Sequence, residues 1–144
     1  MKKIIIAAIG LSMVLLADLS RNAAGVVTDS TTGLQWQDDY SVNGGNIKSA
    51  TWQDAIDYCE ALSLDGHEDW RLPNIRELNS IADLSRVNPA IDPTFQHTAT
   101  GYYWSSSTGG GYHDDAWYLG FYGGYRYTDS KGNGYYVRCV RPGE

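Results

Sequence analysis

The chain is poor in cations, cysteine, proline and phenylalanine, with 11 Lys and Arg against 17 Asp and Glu, two Cys, four Pro and two Phe in 144 residues. The formal net charge of −6 excludes a general polyanion binder, because backbone-phosphate binding relies on clustered Lys and Arg. Nucleic acid is therefore not an expected partner. No nucleophile elbow, P-loop or zincin pattern occurs, so no catalytic motif and no cofactor is read from the chain. The apolar run from Ile4 to Ala17 is too short to span a bilayer. It follows Met1-Lys2-Lys3, and a basic start before such a run is the pattern of a secretory leader. Ala23 and Gly25 put small residues at the −3 and −1 positions of a cut before Val26, whereas a cut after Ala17 leaves Leu15 at −3. The leader is placed at residues 1–25 and a single domain at 26–144, secreted, periplasmic or displayed at the cell surface.

Export to an oxidising compartment turns two cysteines in a small domain into an expected disulfide, Cys59 to Cys139. Cys59 lies in a stretch, Thr51 to Leu62, where Trp52, Ala55, Ile56, Cys59 and Leu62 repeat with the period of one helix face. Asn74-Ile75-Arg76-Glu77 then has the spacing of a capping box, and Ile75, Leu78, Ile81 and Ala82 continue an apolar stripe. Ahead of these, Val26 to Thr28 and Leu34 to Gln37 read as an opening hairpin around a turn-rich stretch. From Tyr102 onward aromatics, Gly and Ser replace the aliphatic pattern. Tyr103 to Ser106 reads as a strand. Ala116 to Tyr122 alternates Trp117, Leu119 and Phe121 against Tyr118, Gly120 and Tyr122. Gly123-Gly124 is read as a two-residue hairpin loop into Tyr125 to Thr128, and Tyr135 to Val140 as one closing strand. The fold class is α+β, two short helices packed on a small Gly/Tyr-rich antiparallel sheet with one disulfide.

The ordered blocks carry a resemblance. The helix Trp52, Ala55, Cys59 with a cysteine in the terminal strand resembles the C-type lectin-like fold. Val27-Thr28-Asp29, Thr32-Gly33-Leu34-Gln35-Trp36-Gln37, and Asp69-Trp70-Arg71-Leu72-Pro73-Asn74 through Leu78 appear in that order. Ala90-Ile91-Asp92-Pro93-Thr94-Phe95, Tyr103-Trp104-Ser105-Ser106-Ser107, Ala116-Trp117-Tyr118 and Tyr136 to Arg141 complete the series. Together they resemble the Legionella collagen-like protein C-terminal domain family, a domain of unknown function, over Val27 to Arg141. The resemblance implies a scaffold that displays loops and an adhesin-like binding role. The namesake domain is an adhesin tip for sulfated glycosaminoglycans, from which this chain departs in its acidic balance. Fold alone licenses no activity.

Candidate ligand-binding residues are therefore sought where aromatics meet Gly-rich turns. Tyr112, Tyr118, Tyr122, Tyr125 and Tyr127 are such residues, because a ring with a hydroxyl stacks on a sugar or anchors a protein. Asp114 and Asp115 join them as polar loop groups. His113-Asp114-Asp115 and His67-Glu68-Asp69 lack a second ligand pair, so no metal site is read from either. Asp129 to Gly134 mimics the start of a calcium loop, but Lys131 sits at a liganding position and Val140 where the bidentate Glu belongs. Most of the five tryptophans, Trp36, Trp52, Trp70, Trp104 and Trp117, are assigned to core packing. Arg71, Arg76, Glu77, Arg138 and Arg141 are assigned to structural ion pairs. The expected function is binding of a surface glycan or protein, with envelope assembly or a homo-oligomer through the same aromatic surface as the alternative. Catalysis is not expected.

Overall fold

The computed structural model describes residues 18–111 and 113–143. Four short strands, β1 (Leu19–Arg21), β2 (Val26–Asp29), β3 (Leu34–Gln37) and β9 (Val140–Pro142), make one antiparallel sheet in the order β1-β2-β3-β9. The second sheet is built from β4 (Ser49–Ala50), β5 (Tyr102–Thr108), β6 (Asp115–Gly120), β7 (Tyr125–Ser130) and β8 (Tyr135–Tyr136). Its order is β4-β8-β5-β6-β7, with β5 and β8 parallel and the other pairs antiparallel. Helices α1 (Trp52–Glu60) and α2 (Ile75–Ser80) complete an α+β fold. Among the described residues no helix is long and apolar enough to cross a membrane.

Strand alternation divides the core into two clusters, one on each face of the five-stranded sheet. Ala55, Cys59 and Leu62 of the α1 region pack with Trp104, Ala116 and Val137 on one face. Leu78 and Ile81 of the α2 region pack with Tyr103, Leu119 and Phe121 on the other. In β2 the neighbours Val26 and Val27 go to different clusters for the same reason. The disulfide joins Cys59 to Cys139 with an S–S distance of 2.14 Å and clamps α1 to the C-terminal segment. Closing a loop across 80 residues stabilises the folded chain by roughly 4 kcal/mol in the chain-entropy account.

Local signals explain both helices. Asn74 accepts from the Glu77 N–H at 2.8 Å and Glu77 accepts from the Asn74 N–H at 3.0 Å, the reciprocal capping box expected from the spacing. Arg71 grips the same Glu77 through two hydrogen bonds of 2.6 and 2.7 Å. The opening hairpin forms as β2 and β3. Arg138 and Arg141 are likewise structural, paired with Asp38 and Asp69.

Two expectations change. The segment Tyr135 to Val140 is not one strand: β8 pairs with β4 and β5, then the chain crosses and β9 pairs with β3. The crossing is held by the Val137 N–H on the Lys48 carbonyl at 2.9 Å and by two hydrogen bonds between Arg71 and Val140. The β6–β7 loop is four residues, Phe121 to Gly124, because Gly120 pairs with Tyr125 and Phe121 folds into the core. Ahead of Gly25, β1 pairs with β2 in continuous register. Residues 1–17 lie outside the described residues.

Candidate functional site

The register of the five-stranded sheet sets which tyrosines share a face. Tyr118 lies opposite Tyr127 and Trp104, while Gly120 lies opposite Tyr125 and Tyr102, so all of these point to the α1 side. Only half of that side is covered. The Trp52 indole donates to the Ser105 carbonyl at 2.9 Å and the Trp104 indole to the Ala50 carbonyl at 3.0 Å. These bonds hold the start of α1 and β4 over the Trp104 and Ala116 end. Beyond them no described residue covers the sheet, and Tyr102, Tyr125 and Tyr127 are 46, 67 and 59% exposed.

The rings touch. Tyr118 lies 4.7 Å from Tyr102, 5.1 Å from Tyr135 and 6.3 Å from Tyr127, measured between ring centroids. Tyr102 meets Tyr135 edge-on at 5.3 Å, and Tyr135 backs onto the buried Trp104 at 4.7 Å. Such offset and edge contacts fix ring orientations. A Cβ at Gly120 would lie 3.1 Å from the Tyr102 ring, so a side chain there would have to push that ring aside.

A carboxylate, Asp129, lies on this face. The Tyr135 hydroxyl donates to the Asp129 carboxylate, and that bond, ahead of the one from the Ser130 N–H, holds the Asp129 pKa below the usual carboxylate value. Burial raises the Tyr135 hydroxyl, with Asp129 adding to it, and burial likewise raises Tyr118. The nearby cation is committed elsewhere. Lys131 donates to the His113 carbonyl at 2.6 Å and the Thr108 hydroxyl at 3.2 Å, and lies 4.0 Å from the Trp52 ring. Arg126 alternates with Tyr125 and Tyr127 and so points to the opposite face.

Of the candidates read from sequence, the fold brings together Tyr118, Tyr125 and Tyr127. Tyr122 sits apart in the β6–β7 loop, 66% exposed, its carbonyl accepting from the Asn88 N–H at 2.9 Å. Asp115 opens β6 on the opposite face, with Trp117, and its carbonyl accepts from the Gly109 N–H at 2.7 Å. Asp114 is exposed beside His113, 3.6 Å away. Tyr112 lies outside the described residues. Tyr102, Tyr135 and Asp129 belong to the face and were not among the candidates. Tyr102 is two positions from Trp104, an alternation signal, but Tyr135 arrives through a non-local strand pairing. Among the described residues no group of three or more His, Cys, Asp or Glu is placed to hold a metal ion.

A family model described as the Lcl C-terminal domain matches residues 25–141. Comparison with curated proteins gives no match.

Proposed function

Because the chain belongs to the Lcl C-terminal domain family, we propose that it is an exported binding module of C-type lectin-like plan that takes a surface glycan on its tyrosine face. The observation that carries this reading is the run of touching tyrosine rings on a half-face that, among the described residues, no element covers. Aromatic faces rimmed by hydroxyls stack on pyranose rings and hydrogen-bond their hydroxyls, and the ring–ring contacts hold them ready before the ligand arrives. The glycan is uncharged. A sulfate would meet the ionised Asp129, with Arg126 on the opposite face.

A second reading, assembly in the envelope, is favoured by one feature: β7 is an edge strand with no partner on its outer side. Both readings are tested by presenting the oxidised protein to an array of neutral and sulfated glycans, with calcium and with chelator. The proposal expects neutral glycans to bind in both conditions. Hits confined to sulfated glycans, or lost with chelator, would contradict it. An empty array together with concentration-dependent self-association would favour assembly, and an empty array with a monomer would point to a protein ligand.

A further inference from the structure

Ala23-Ala24-Gly25 has the small residues of a leader-peptidase site, yet these residues form the turn of the β1–β2 hairpin. The Asn22 side-chain oxygen accepts from the Ala24 and Val26 N–H groups, each at 3.0 Å, and the Gly25 N–H donates to the Asn22 carbonyl at 3.1 Å. Gly25 has φ +81°, and a Cβ there would lie 2.5 Å from the Asp39 Cβ. Only glycine fits that position. Its carbonyl accepts from the Asp38 N–H at 2.8 Å. The smallness of Gly25 thus has a folding cause that owes nothing to a peptidase.

The strand ahead of the turn is also bound into the fold. Leu19, Ser20 and Arg21 pair with Asp29, Thr28 and Val27, and the Ser30 N–H donates to the Asp18 carbonyl at 3.1 Å. Arg21 matters most. Its Nε donates to the Asp38 carboxylate at 2.7 Å and its Nη2 to the Asp38 carbonyl at 3.1 Å. The Asp38 side chain is wholly buried. It accepts in addition from the Gln96 and His97 N–H groups and faces the buried Arg138 at 3.3 Å. A cut after Gly25 would take away its shorter cationic partner, 2.7 Å against 3.3 Å, and leave β2 as a bare sheet edge.

From this geometry we infer that the leader is removed ahead of β1, at the Ala17–Asp18 bond, so that the mature domain begins at Asp18 and retains Arg21. Water adds across that amide: Ala17 leaves with the carboxylate and Asp18 keeps the new amino group. Ala17 supplies the small −1 residue, and the apolar run ends at the cut. Nothing in this inference depends on the glycan reading.

The test is to express the full chain, Met1 to Glu144, in a bacterium with a general secretory route, recover the exported form, and determine its intact mass and first residues. Asp18 as the first residue is expected. Val26 or Met1 as the first residue, or any other start, overturns the inference. Arg21→Ala in the same full chain separates cleavage from folding. It should leave the cut at Asp18 and lower the urea midpoint of the exported protein, with Arg21→Lys recovering part of the loss. An Arg21→Ala midpoint equal to that of the unaltered protein would overturn the claim that β1 belongs to the folded domain.

Discussion

Tyr102 and Tyr103 are adjacent in β5 and meet opposite fates. Tyr103 is fully buried, its hydroxyl oxygen accepts from the Ala99 N–H at 2.9 Å, and its ring meets Phe121 edge-on at 5.0 Å. Tyr102 stands on the other side of the sheet, half in solvent, among other tyrosines. The difference is which helix lies behind each. The α2 region and the Ile91–Phe95 loop cover the Tyr103 side, whereas α1 stops short on the Tyr102 side. The closed face is packed throughout, and the half-open face leaves tyrosine rings in solvent.

The comparison breaks most sharply at the clamp that seats α1. Changing Cys59 and Cys139 together to Ser should cost about 4 kcal/mol of folding stability by urea unfolding. A loss below about 1 kcal/mol would mean that packing alone seats α1. Next in size, Tyr103→Ala should destabilise by about 3 kcal/mol, a buried aromatic truncated to a cavity. Tyr127→Ala should stay within about 0.5 kcal/mol of the unaltered protein, as exposed positions do.

How much of this division was legible in the sequence depends on how far each signal reaches. The capping box of α2 and the helical period of α1 are written within a few residues, and both helices form where those signals lie. The alternation of Tyr118 against Leu119 gave the two faces of β6 but not which helix would lie over each. Tyr135 could not be placed, because its position follows from pairing with Ala50 and its neighbour's with Tyr103, far away in the chain. The same non-local control splits the closing segment into β8 and β9. β1 was hidden for another reason: the small residues Ala23 and Gly25 drew the leader boundary after it.

The open face predicts a functional loss without a structural one. Tyr118→Ala or Tyr127→Ala should each weaken glycan binding about tenfold, roughly 1.4 kcal/mol, with far-ultraviolet circular dichroism unchanged. Equal loss of binding and of fold would erase the distinction between the faces.

The smallest expected effect is at acid pH on the closed side. The hydrogen bonds from Arg71 hold the folded Glu77 pKa below its ordinary value of 4.5. Its contribution is therefore fully present above about pH 4.5 and is lost as pH falls through the folded value. Screening keeps it under about 1 kcal/mol. Glu77→Gln should shrink the drop in stability below pH 4.5 without changing glycan binding at neutral pH.

The central claim, that the ligand sits on the tyrosine face and not simply on any exposed tyrosine, is tested by comparing two variants on one glycan array. Tyr125→Ala with Tyr127→Ala removes two rings from the face, and Tyr122→Ala removes an equally exposed ring from the loop beside it. Loss of binding in the double variant and retention in Tyr122→Ala is the result predicted. Retention in the double variant with loss in Tyr122→Ala would move the site to the β6–β7 loop and contradict the account.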